Sequence, residues 1–139
     1  MPVDYDVLDD PPLVLIRYHG HVEMAEITRS LSQFAAEGRQ HDHQTHLFDI
    51  SGVTSYTLDY PEYFRLLGKL ADVYPVGAPE RLFVFLAPSG PPAEMVAALR
   101  RPYDGSGPIV IRVADTVDAA LDILGLPHAS LETRLLAAR

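Results

Sequence analysis

Three imidazoles and a carboxylate fall within six residues, His41-Asp42-His43-Gln44-Thr45-His46. These are metal-ligand side chains, and a catalytic zinc site needs three protein ligands plus a water. A metal-dependent hydrolase using His41, His43 and His46 is therefore one chemistry that the spacing allows. The alternative is a solvated helix-to-strand loop in which His46 opens the strand. His19-Gly20-His21 offers a second imidazole pair, suited to anion binding or acid–base work, or else two turn residues with satisfied ring nitrogens. Arg100-Arg101 could hold a phosphate or a carboxylate. The pair also stands near a helix C-terminus, where cations are favoured anyway. Other chemistries are missing from the chain. It has no Gly-x-Ser-x-Gly, no phosphate-cradling glycine loop and no dinucleotide fingerprint. In Ser89-Gly90-Pro91-Pro92 the prolines lack the N–H groups that a phosphate would need. With no cysteine, thiolate catalysis, disulfides and cysteine-ligated metals are excluded. No cofactor is expected.

Aromatic side chains are the other concentration. Tyr56, Tyr60, Tyr63, Phe64 and Tyr74 crowd one loop and one helix, and Tyr60, Tyr63 and Phe64 do not share a single helix face. Part of the cluster should therefore reach the surface, where amphipathic rings favour interfaces and apolar ligand pockets. The candidate binding residues are Ser55, Tyr56, Thr57, Asp59, Tyr60, Tyr63 and Phe64, with Ser89 in the turn beside them.

Positioning these residues takes a folded core. The 139 residues are 47% hydrophobic and 22% charged, ordinary for one globular domain. Residues 1–127 read as that domain and 128–139 as a tail able to form a short helix. The net charge of −8 repels phosphate backbones and anionic headgroups, so neither nucleic acid nor a membrane is an expected partner. The start, Met1-Pro2-Val3-Asp4, lacks a basic stretch and an apolar signal core, and no apolar run could span a bilayer. A cytoplasmic location is the expectation.

The periodicities give an element order. Tyr5–Leu8 and Leu13–Tyr18 read as a hairpin, and Gly20 breaks the chain. Residues 22–37 carry an apolar stripe of Met24, Ile27, Leu31 and Phe34 at helical spacing. His46–Ile50 is a strand, and Ser51–Leu58 a loop. Asp59-Tyr60-Pro61-Glu62 starts a helix bearing Tyr63, Leu67, Leu70 and Tyr74. Arg81–Ala87 reads as a strand covered on both faces. A helix with Met95, Val96 and Leu99, a strand at Ile109–Val113 and a helix capped near Thr116 complete the order β-β-α-β-α-β-α-β-α. The fold class is α/β, a mixed, mostly parallel five-stranded sheet flanked by four helices. Ligands of such sheets gather at the strands' carboxyl ends, here Ser51–Asp59, Ala87–Pro92 and Val113–Thr116.

Two stretches carry a family resemblance. His46-Leu47-Phe48-Asp49-Ile50-Ser51-Gly52-Val53 is an apolar strand ending in Asp. Arg81-Leu82-Phe83-Val84-Phe85-Leu86-Ala87-Pro88-Ser89, followed by Ile111-Arg112-Val113-Ala114-Asp115-Thr116-Val117-Asp118-Ala119-Ala120-Leu121, is a strand pair with a capped last helix. Over about residues 5–125 the chain resembles the SpoIIAA-like branch of the STAS fold, small bacterial proteins also described as STAS/SEC14-like. That resemblance implies a non-enzymatic module that binds a protein partner through the loop and helix after the Asp-ended strand. It also implies a phosphorylated serine in an Asp-Ser-Ser-Gly motif at that helix's start. The equivalent zone, Thr54-Ser55-Tyr56-Thr57-Leu58-Asp59-Tyr60-Pro61, lacks the motif. Ser55 or Thr57 could stand in for that serine, and Thr57 and Asp59 could equally be simple helix caps. The SEC14-like label implies a second role, carriage of a small apolar or lipid-like ligand between the sheet and the Tyr60–Tyr74 helix. The histidine run also resembles the His-x-His-x-Asp-His signature of metallo-β-lactamase-fold hydrolases, with Thr45 where that motif has aspartate. The leading expectation is a cytoplasmic protein-binding module, not an enzyme, that self-associates as a dimer.

Overall fold

A computed structural model of the chain describes residues 3–9, 12–38, 40, 44–101 and 107–126. His41, Asp42, His43 and the expected tail helix over 128–139 lie outside the described residues. The elements are β1 (Val3–Leu8), β2 (Leu13–Glu23), α1 (Met24–Glu37), β3 (Thr45–Thr57), α2 (Tyr60–Val73), β4 (Arg81–Leu86), α3 (Pro91–Arg100), β5 (Ile109–Ala114) and α4 (Val117–Leu124). The sheet order is β1-β2-β3-β4-β5, with β1 antiparallel to β2 and every later pair parallel. This is the expected α/β architecture.

The alternation of side chains along each strand divides the core in two. Val14, Ile16, Tyr18, Phe83, Phe85 and Ile109 face the side covered by α1, α2 and α3, which contribute Met24, Ile27, Phe34, Tyr63, Leu66, Met95 and Val96. Leu13, Leu15, Leu47, Val84, Leu86 and Ala114 face the other side, where Ala120 and Leu121 of α4 pack. Because the strand order never reverses, crossovers of one hand put the three connecting helices on one face. No switch point opens a crevice at the strands' carboxyl ends. The rim expected there is thus not the natural ligand position in this sheet.

Local signals fix the helix ends. Asp59 accepts the Glu62 N–H and Thr116 accepts the Ala119 N–H, so α2 and α4 start as their cap residues require. At α1, Glu23 and Glu26 form a reciprocal capping box, and Gly38 ends the helix at φ 67°. The helix begins at Met24 rather than at residue 22, since Val22 and Glu23 remain in β2.

The larger correction concerns Ser51–Leu58. Most of this stretch is strand, not loop, and Gly20 lies within β2 instead of ending it. His19 pairs with Gly52, His21 with Ser55 and Glu23 with Thr57, so β2 and β3 run on together as a two-stranded arm. Register shifts interrupt the pairing between Arg17 and His19 and between Gly20 and His21. Such bulges favour glycine and short polar residues, which is why the stretch reads as a loop. Buried Asp49 supports the first bulge by accepting the Ser51 N–H at 3.1 Å and the Ser51 hydroxyl at 2.5 Å. At Gly52 a Cβ would sit 3.1 Å from the His19 Cβ and 3.3 Å from the Tyr18 carbonyl oxygen, so the close approach of the two strands favours glycine, and any larger residue would push the strands apart by a few tenths of an ångström.

Candidate functional site

The arm settles where the candidate hydroxyls go. His21 Nδ1 lies 2.7 Å from Ser55 Oγ, and His21 Nε2 lies 3.0 Å from both Glu23 Oε1 and Thr57 Oγ1. Asp59 caps α2, while Thr57 bonds the imidazole. Tyr56 is half-buried against the main core. On α2, Tyr60 and Phe64 are 62% and 64% exposed at i, i+4 spacing, a two-ring patch on one face. Tyr63 points inward, its hydroxyl donating to the Leu99 carbonyl at 3.1 Å and tying α2 to α3. Burial raises the Tyr63 pKa, against a smaller lowering by the Arg101 charge. Ser89 is exposed in the turn before α3, and among the described residues no hydrogen bond or ring contact joins it to the others. The expected surface is therefore three places: an imidazole–hydroxyl cluster on the arm, an aromatic patch on α2 and an isolated serine.

A separate site lies between the sheet and the helices. A cavity of about 100 Å³ is walled by Ile16, Phe48, Phe85 and Ile111 of the sheet and by Leu31, Phe34, Leu66 and Leu70 of the helices, with Tyr63 and Leu99 at its side. Its lining is almost wholly apolar, with Ser30 and Arg100 among its few polar members. Each wall is what its element dictates: positions 46, 48 and 50 of β3, before its bulge, and odd-numbered positions of β4 and β5 face the helices.

His46 belongs to this wall. It stands at the start of β3, as expected, and is 3% exposed, turned into the core. Its ring lies 4.7 Å from Phe83, 5.6 Å from Tyr74 and 5.8 Å from Phe34, centroid to centroid. Nε2 lies 2.7 Å from the Tyr74 hydroxyl, while Nδ1 is buried with no hydrogen-bond partner among the described residues. Burial first, and then the Arg81 charge, push its pKa down to about 3, so the ring is neutral at pH 7. Burial holds the Tyr74 hydroxyl protonated as well. The metal reading gains nothing from this geometry: His46 turns into the core with Nε2 taken, and His41 and His43 lie outside the described residues. The overlooked signal is phase, since His46, Phe48 and Ile50 alternate as one core-facing row.

No protein-family model matches the chain, and no curated protein matches it. Among solved structures, the chain is similar to the anti-sigma factor antagonist SpoIIAA in its unphosphorylated form, at 14% identity and a TM-score of 0.49, over 88% of this chain and 97% of that one. It is also similar to an uncharacterized DUF3478-family protein with a SpoIIAA-like fold from Shewanella loihica PV-4, at 16% identity and a TM-score of 0.49, over 88% and 91%. Function is read from the chain's own sites.

Proposed function

We propose that the protein is a non-enzymatic binding module that takes up a small apolar molecule in the space beneath α2, as a carrier or sensor. The cavity walled by Leu66, Leu70, Phe48 and Phe85 supports this reading. An engineered apolar cavity of roughly 150 Å³ stays dry and binds benzene. A comparable space of about 100 Å³ favours a single ring or a short branched chain over a whole lipid. Leu31, Leu67 and Leu70 are half-buried, which suits a way in between α1 and α2. Native mass spectrometry of gently purified protein should show an adduct of that size. Toluene added to stripped protein should raise the melting temperature in proportion to its occupancy of the folded state. A clean unliganded mass together with an unmoved melting temperature at saturating toluene would overturn the proposal.

A second reading rests on Tyr60 and Phe64. Two large rings exposed on one face of α2 suit docking of a second copy of the chain. The wild type is then expected to sediment as a dimer and the Tyr60→Ser/Phe64→Ser protein, still folded by circular dichroism, as a monomer. Identical sedimentation of the two removes this reading. Among the described residues, no helix is long and apolar enough to cross a membrane.

A further inference from the structure

The arm brings Ser55 of β3 against the neighbouring pair His21 and Glu23 of β2, more than thirty residues earlier, and none of the three lines the cavity. Glu23 Oε1, His21 Nε2, His21 Nδ1 and Ser55 Oγ form a continuous chain of contacts, at 3.0 Å on the acid side and 2.7 Å on the hydroxyl side. Thr57 Oγ1 adds a second oxygen at 3.0 Å from Nε2. A carboxylate beside Nε2 keeps the ring proton on that nitrogen, which leaves the lone pair on Nδ1 to accept the Ser55 hydroxyl proton. This is the acid–imidazole–hydroxyl connectivity that activates a serine, with the two ring nitrogens exchanging their more usual places. The parts are held by backbone pairing: His21 stands opposite Ser55 in the ladder, and Glu23 opposite Thr57. Glu23 is further fixed by its capping box with Glu26. The Ser55 side is open to solvent, so a small donor can approach without a preformed pocket.

We infer that Ser55 is an activated hydroxyl that accepts an acyl group from a small activated ester or thioester. Ser55 Oγ attacks the acyl carbon, and the Oγ–C bond forms as the bond to the leaving group breaks. The hydroxyl proton passes to His21 Nδ1 and from there to the leaving oxygen or sulfur. The product is one O-acyl serine per chain, a covalent mark that requires no turnover. Glu23 is a positioning residue, acting only through the imidazole. With the ring nearly half exposed, water competes for these bonds, so the activation is that of a general base in a wet site rather than of a sealed catalytic centre.

The probe is p-nitrophenyl acetate on the full chain, read by release of nitrophenolate and by the mass of the modified peptide. One acetyl group on Ser55 is expected, with a rate that depends on the His21 imidazole. Ser55→Ala should abolish the adduct, and His21→Gln should slow it by about 100-fold, the low end of what a general base supplies. Glu23→Gln keeps the cap but relaxes the tautomer, and should slow acetylation while leaving the melting temperature within a degree or so. Acetyl found on His21 itself or on lysine, with a rate unchanged in Ser55→Ala, overturns the inference. So does a rate that tracks the melting temperatures of the variants instead of the imidazole.

Discussion

Acid is expected to destabilise the protein steeply between pH 6.5 and about 3, and His46→Phe to remove much of that loss. The native ring stays neutral until about pH 3, whereas an unfolded chain takes up a proton below its ordinary value of 6.5. Within that window the unfolded state holds the extra proton, so stability rises with pH there and is level, as far as His46 is concerned, above 6.5. The slope is about 1.4 kcal/mol per pH unit, and across the window the loss is on the order of 4 kcal/mol. That is a large share of a domain's usual margin. His46→Phe alone strands the Tyr74 hydroxyl and should cost about 1–3 kcal/mol at pH 7. His46→Phe/Tyr74→Phe replaces the pair by rings of similar shape in an aromatic surround, and should restore neutral stability while keeping the flat acid limb. Urea titrations at half-unit pH steps measure this directly. Parallel stability–pH curves for the wild type and the double variant between pH 6.5 and 4 would contradict a buried neutral imidazole.

Filling the cavity is expected to end ligand uptake while leaving the fold firmer. Leu31→Trp projects a larger ring from α1 into a space of about 100 Å³ that the leucine only borders. The indole would occupy the volume a ligand needs, so toluene should no longer shift the melting temperature at concentrations 100-fold above those that saturate the wild type. Cavity filling commonly adds about 0.5–2 kcal/mol to stability. The empty variant should therefore melt at or above the wild-type temperature. Toluene binding undiminished in a folded Leu31→Trp protein would place the ligand elsewhere. Loss of both binding and stability would point to overpacking, and the smaller Leu31→Phe then decides between the two.

The order of elements was legible because helix stripes and caps are local. Met24, Ile27, Leu31 and Phe34 repeat within one helix, and Asp59 and Thr116 cap within three residues of themselves. The strand at Arg81–Leu86 is apolar on both faces because both faces are covered. The arm was not legible. Ser51, Gly52, Thr54 and Ser55 carry turn chemistry, and only pairing with β2 reveals them as bulged strand. His21 and Ser55 each stand out singly in the sequence, but their meeting depends on a register shift that no local rule encodes. The cavity is further still from the sequence, since its walls come from most of the elements and its volume is what their packing leaves over. The His41–His46 run misleads through composition: three histidines suggest a metal, while the strand phase of His46 puts it among phenylalanines.

Every strand in the sheet hydrogen-bonds to the strand that precedes it in the chain. Each new pairing closes only one intervening hairpin or helix, so the entropic cost of search stays small at every step and folding should be quick for a sheet of five strands. A chain emerging amino-terminus first can add β3, β4 and β5 in turn to a platform already formed. Assembly can therefore keep pace with synthesis, with no early strand left waiting for a distant partner.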